Sequence, residues 1–136
     1  MACWRNPSAR TASLLNVVLC VMCLNTDRLF LREATESDIA SLRAYQSDGR
    51  YLEHYEKRPD ASSIIQQALG WANESPRENY QYIVELDSSE VIGCAGLRTK
   101  GCESRTGEIG IEIDPNHWGN GFAHEVLEVL IEFAKS

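Results

Sequence analysis

The 136-residue chain is 43% hydrophobic and 24% charged, which fits one soluble domain of ~100–200 residues and excludes a disordered chain. A formal charge of −7 with a pI near 4.9 argues against nucleic acid as the main ligand, because phosphate binding needs a surplus of Lys and Arg to displace counterions, whereas an acidic surface suits an amine-bearing partner. Five cysteines, at 3, 20, 23, 94 and 102, lack the spacing of a disulfide framework and point to a reducing, cytoplasmic setting; Cys20 and Cys23 form a CxxC without the second ligand pair that zinc requires, so no metal is expected.

At the N-terminus, the apolar run from Leu14 to Leu24 is shorter than the ~20 residues needed to cross a bilayer, which predicts no membrane span. With Arg5 and Arg10 upstream it is also similar to a signal-peptide core. The plainer readings are an extra helix or strand packed on the domain, or an upstream extension. Residues 1–25 are therefore set apart as an N-terminal extension of uncertain structure, and 26–136 as the domain.

From Thr26 the pattern is orderly. "TDRLFLREA" alternates around Leu29 and Leu31 and predicts a first strand. In "TESDIASLRAY", Thr35 and Asp38 have capping-box spacing, and Ile39, Leu42 and Tyr45 share a helical face. "SDGRYLEHYEKRPD" holds no sustained period and predicts a loop or a short helical turn. "DASSIIQQALGWAN" predicts a second helix with Gly70 as its weak spot. "NYQYIVEL" alternates with Tyr80, Tyr82, Val84 and Leu86 on one side, "DSSE" turns, and "VIGCAGLR" returns as an antiparallel hairpin. In "GEIGIEI", Ile109, Ile111 and Ile113 face one way and Glu108, Gly110 and Glu112 the other, giving a fourth strand. The period then turns helical: Val126, Leu127, Leu130, Ile131 and Ala134 form an apolar stripe, with His124, Glu128, Glu132 and Lys135 on the wet side.

Between that strand and that helix lies "DPNHWGNGFAHEV". A helix opening leaves N–H groups unpaired and carries positive potential, and glycines let the backbone approach an anion closely. The loop from His117 to Ala123 can therefore cup a pyrophosphate, although from these residues alone a plain turn with a glycine hinge is the commoner reading. A dinucleotide fold would place such a loop after the first strand of a parallel unit, and a P-loop would end in GK[ST]; neither holds here.

The order strand, helix, helix, hairpin, strand, followed by this loop, resembles the GNAT superfamily of acyl-CoA-dependent N-acetyltransferases. It most resembles the RimJ/RimL-type branch of ribosomal-protein N-terminal acetyltransferases, through "TDRLFLREAT" and "GEIGIEIDPNHWGNGFAHE". The similarity runs from about Thr26 to Ser136. The superfamily's Q/R-x-x-G-x-G/A motif falls on Asn116, Gly119 and Gly121, with Asn116 departing from the usual first residue.

The resemblance implies an α+β fold, a central, mostly antiparallel sheet flanked by helices. It implies acetyl-CoA as acyl donor, without metal. Backbone groups of Ile111, Glu112 and Ile113 would pair with the pantetheine arm, and the loop through Asn116, His117, Trp118, Gly119, Asn120, Gly121, Phe122 and Ala123 would hold the pyrophosphate by its N–H groups from Trp118 onward. Glu108 occupies the strand position of a catalytic glutamate, with Glu112 next in line as base; the alternative is that both face solvent on an edge strand. His54, beside Tyr51 and Tyr55, is a candidate for the acceptor pocket, with a solvated loop residue as the commoner reading; His117 is expected as a loop-shaping residue and Trp118 as a wedge between loop and core.

By the same resemblance the domain would continue past Ser136 with a further strand, helix and hairpin carrying a tyrosine general acid, so the C-terminal part is expected to be missing, and a second copy in a homodimer is one way of completing the fold. The implied function is acetyl transfer to an amine, a protein N-terminus or a small amine, by direct attack. The alternative is a truncated, inactive acyl-CoA-binding or interaction protein.

Overall fold

The apolar alternation of "LFLRE" forms strand β2 (Leu29–Glu33), against which a two-residue strand β1 (Leu24–Asn25) pairs in the computed structural model, where residues 23–55, 58–103 and 105–136 are described. Cys20, Arg5, Arg10 and the apolar run up to position 22 lie outside the described residues. The capping box of Thr35 and Asp38 is present, but it opens one 3-10 turn, Glu36–Asp38, before helix α1 (Ile39–Gln46) begins. Asp48 accepts from the Arg50 N–H and starts helix α2 (Gly49–His54), so the segment without a clear period is a short helix. Asp60 caps helix α3 (Ala61–Ala72) by accepting from the Ser63 N–H at 2.8 Å.

The predicted hairpin is strands β3 (Asn79–Leu86) and β4 (Val91–Arg98), and β5 (Glu108–Ile113) follows. All neighbours are antiparallel in a five-stranded sheet of order β1-β2-β3-β4-β5, which makes β5 an edge strand among the described residues. Helix α4 (Phe122–Lys135) ends the chain.

Two cores cover the two faces of the sheet. Leu29, Leu31, Tyr82, Val84 and Ile113 pack against Phe122, Val126 and Leu130 of α4. On the other face, Ile83 and Cys94 pack against Leu42 and Tyr45 of α1 and Ile64, Ile65 and Ala68 of α3. The neighbours Tyr82 and Ile83 thus enter opposite cores, as the two-residue side-chain period of a strand requires. The apolar stripe of α4 is narrower than its sequence predicts: Val126 and Leu130 are fully buried, whereas Leu127, Ile131 and Ala134 are exposed. Phe122, Val126, Leu130 and the partly buried Val129 and Phe133 already fill the sheet-facing arc. Leu127 and Ile131 lie one position further round the helix, beyond that arc. No helix among the described residues is long and apolar enough to cross a membrane, and no three His, Cys, Asp or Glu residues among them are grouped to hold a metal.

Candidate active site

The edge of β5 has a definite polarity. Asp114 N–H donates to the Ile92 carbonyl at 2.6 Å, and the register pairs Gly93 with Ile113 and Cys94 with Glu112. In an antiparallel ladder successive residues turn their amides alternately toward and away from the partner. Glu108, Gly110, Glu112 and Asp114 therefore point theirs at β4, while Ile109, Ile111 and Ile113 point theirs at the open edge. Of the three residues expected to pair with an extended arm, Ile111 and Ile113 have outward amides and Glu112 does not; Ile109, missed from the sequence, does. Ile113 is already engaged: its carbonyl accepts from Trp118 Nε1 at 2.8 Å, and its backbone hydrogen-bonds the Tyr55 hydroxyl.

This edge runs directly into the glycine loop. Asp114 accepts from the Asn116 N–H through its side chain and from the His117 N–H through its carbonyl, and the Trp118 N–H donates to the Pro115 carbonyl. The first three loop amides are thus used internally. Beyond them Gly119 (φ +82°) and Gly121 (φ +79°) adopt left-handed backbone that only glycine accepts easily, and α4 begins at Phe122. Gly119 faces open space. The amides from Gly119 to Ala123 are therefore the loop's available donors, a shorter set than the sequence suggested, and they coincide with the positive end of a 14-residue helix.

Two arginines that the sequence reading passed over brace the loop. Arg28 donates to the Asn120 carbonyl at 2.9 Å, lies 4.4 Å from the centre of the Phe122 ring, and pairs with Glu125 at 2.8 Å; Thr26 also hydrogen-bonds Glu125. Because the C=O and N–H of one peptide point oppositely, holding the Asn120 carbonyl toward Arg28 aims the Gly121 N–H the other way. Arg50 donates to Asn116 Oδ1 at 2.7 Å and pairs with Asp48, whose carboxyl its hydrogen bonds hold down at about 2. His117 Nε2 lies 3.0 Å from Glu90 Oε2. His54 packs edge-on to Trp118 of the loop, with ring centroids 4.8 Å apart.

The two glutamates of β5 differ sharply. Glu112 is fully buried, so it does not face solvent. Its Oε2 accepts from Tyr45 Oη at 2.7 Å and Gln46 Nε2 at 3.1 Å, and its Oε1 from Tyr51 Oη at 3.2 Å and Arg58 Nη2 at 3.1 Å. Burial first, then the Cys94 and Glu112 charges, pushes the Tyr45 hydroxyl far above its ordinary range; burial and Glu112 do the same for Tyr51. Burial pulls the Arg58 guanidinium down, but its attraction to Glu112 outweighs this and its pKa is raised. The donors around Glu112 therefore keep their protons through the neutral range. Glu108, by contrast, has a 61% exposed side chain in close contact with Arg98.

Glu108 also lines a half-open cavity of about 380 Å³ beside β5, together with Arg58, Gln67, Trp71, Gln81 and Gly110. A smaller hollow of about 260 Å³ lies at the loop, between Tyr55, Trp118, Gly119 and His124. The strand edge, unpaired at Ile109 and Ile111 among the described residues, and the glycine loop suit an extended, phosphate-bearing ligand, while the cavity, with a carboxylate at its wall, suits a small polar second reactant.

Residues 28–136 match the acetyltransferase (GNAT) domain family. The N-acetyltransferase YoaA of Bacillus subtilis, whose own function is uncharacterized, is 36% identical over 119 residues, covering 83% of this chain and 66% of the relative. The chain thus spans just under two thirds of that relative's length. Among solved structures, an acetyltransferase from Agrobacterium tumefaciens superposes with a TM-score of 0.63 at 22% identity, over 82% of this chain and 66% of that one. RimL, a ribosomal L7/L12 α-N-protein acetyltransferase solved with coenzyme A, superposes with a TM-score of 0.62 at 18% identity, over 79% of this chain and 64% of that one. These likenesses show the fold: α+β, with an antiparallel sheet flanked by helices.

Proposed function

Since the chain belongs to the acetyltransferase (GNAT) domain family, we propose that it transfers the acetyl group of acetyl-CoA to an amine by direct attack, as its RimJ/RimL-type sequence pattern implies. One observation carries this reading: the edge of β5, unpaired at Ile109 and Ile111 among the described residues, is followed by the left-handed glycines at the mouth of α4. An extended pantetheine arm can pair along the outward groups of Ile109 and Ile111, while those of Ile113 are held by Trp118 and Tyr55. Its pyrophosphate then meets the amides from Gly119 through Asn120, Gly121 and Phe122 to Ala123, while Asn116, His117 and Trp118 shape the loop with their own amides engaged.

The amine enters from the cavity that Glu108 lines. Its nitrogen forms a bond to the thioester carbon, the C–S bond breaks, the coenzyme leaves as thiolate, and Glu108 takes the nitrogen's proton directly or through one water. Glu112 is the poorer base. It is sealed from solvent, and both of its oxygens already accept hydrogen bonds that protonation would disturb.

Titration calorimetry with acetyl-CoA tests the cofactor half. The native chain should bind, and Gly121→Val should weaken binding at least about tenfold, because a β-branched residue resists φ +79° and the loop amides would swing out of line. An equally folded Gly121→Val chain with native affinity would refute the placement of the pyrophosphate.

A further inference from the structure

We propose that the cavity beside β5 selects a small amine that also carries a carboxylate, and that Arg58 receives that carboxylate; the inference rests on the acetyl-transfer reading above and names the acceptor class for it. Arg58 presents a planar fork of five N–H donors, with two edges that each match a carboxylate. One edge is spent. Nε and Nη2 donate to Glu112 Oε1 at 3.3 and 3.1 Å, and Glu112 is in turn immobilised by Tyr45, Gln46 and Tyr51.

The other edge, made by Nη1 and the remaining hydrogen of Nη2, donates to no described residue. Nη1 lies over β5, 3.7 Å from where a Cβ on Gly110 would sit. The Arg58 side chain is 33% exposed, and its exposed part helps line the cavity. A guanidinium clamped along one edge by a buried carboxylate has little freedom left to lose when a ligand meets its other edge, which favours binding.

The second cation of the cavity, Arg98, is committed to Glu108. Arg58, fixed by the buried Glu112 and 33% exposed, is the better ordered of the two cations, since Arg98 is 50% exposed, and the Glu108 oxygen that accepts from no described residue is the one left to face the amine. Gly110 lies two residues from Glu108 on the same face of β5, ~7 Å along the strand. Between Arg58 above Gly110 and the Glu108 side chain there is room for a molecule with a neutral amine at one end and a carboxylate a few bonds away. The volume of about 380 Å³ is near the small end of ligand pockets. Peptide N-termini and simple amides bring a neutral carbonyl where Arg58 would meet an anion, and they lose the charge-assisted pair.

The test is calorimetric binding to the purified 136-residue chain of a panel of α-amino acids, β-alanine and γ-aminobutyrate, each against its primary amide. At least one acid should bind about tenfold or more tighter than its amide. Arg58→Gln should bring that ratio to about one, and Arg58→Lys, which keeps a charge beside Glu112 but loses the fork, should lower it several-fold. Because partial unfolding weakens an acid and its amide equally, the ratio is insensitive to lost stability. Absence of binding by every acid, equal binding of acids and amides, or a ratio unmoved in Arg58→Gln would each overturn the proposal. Acetyl transfer from acetyl-CoA is read separately: transfer to amides and acids alike would leave the proposed function standing and sink this one, whereas an Arg58-dependent preference without transfer would do the reverse.

Discussion

Glu108 and Glu112 share one face of β5, yet one meets solvent and a cavity while the other is enclosed by two tyrosines, a glutamine and an arginine. An accessible carboxylate at the cavity wall is the better proton acceptor. Glu108→Gln is expected to slow acetyl transfer by ~10²–10⁴-fold while acetyl-CoA affinity stays native, read by steady-state kinetics and calorimetry; an unchanged rate would place the base elsewhere. At this scale the glycines were legible in the sequence, because a left-handed backbone before a helix demands them. The cage around Glu112 was not. Its donors come from positions 54 to 67 residues earlier, and no local pattern encodes which of them converge.

Among the elements, β5 is the one on which the proposed site depends, since the proposal sets one reactant along its edge and the other on its face. Its seat against β4 relies on Gly93, where a Cβ would fall 2.1 Å from the Glu112 carbonyl oxygen and 3.1 Å from the Ile113 Cα. These are backbone atoms and cannot step aside as a flexible side chain would. Gly93→Ala should therefore push β5 from β4, destabilise the fold by about 1–3 kcal/mol and weaken acetyl-CoA binding, as urea unfolding and calorimetry would show. Native stability in this variant would mean that the strands tolerate the insertion. Strands β2 to β5 and both long helices followed from their periods, whereas the two-residue β1 fell in the segment set apart as an extension and two short helical pieces were harder. The 3-10 turn before α1 and helix α2 are each shorter than two turns of α-helix, too short for a period to emerge.

For the molecule as a whole, two ion-pair clamps join distant segments. Arg32 bridges Asp38 and Glu85, tying the start of α1 to β2 and β3. Arg28 and Thr26 hold Glu125 of α4. Burial alone would raise the Asp38 and Glu125 carboxyls, but Arg32 with Thr35, and Thr26 with Arg28, outweigh it and lower both from ordinary values of 3.8 and 4.5. Each folded-state pKa is thus below its unfolded value, so the stability these groups contribute is complete above the unfolded value and is lost as pH falls through the folded one. The unfolding temperature should hold steady with respect to these clamps above about pH 5 and drop below about pH 4, with part of that slope removed in Arg28→Ala. Scanning calorimetry between about pH 3 and 6 checks this; an identical slope in Arg28→Ala would show that Glu125 takes no part.

By itself the sequence determined the order and type of the long elements, the α+β class, the place of the glycine loop and the two glutamates worth considering. Side-chain period, capping residues and glycine geometry act over a few neighbouring residues and can be read along the chain. Only the tertiary structure decided which glutamate is buried, which loop amides remain open, and that Arg28, Arg50 and Arg58 reach the site. Those outcomes depend on how helices and strands far apart in the chain pack onto the two faces of one sheet, and a hydrogen bond or an ion pair exists only once that packing has brought its partners within about 3 Å.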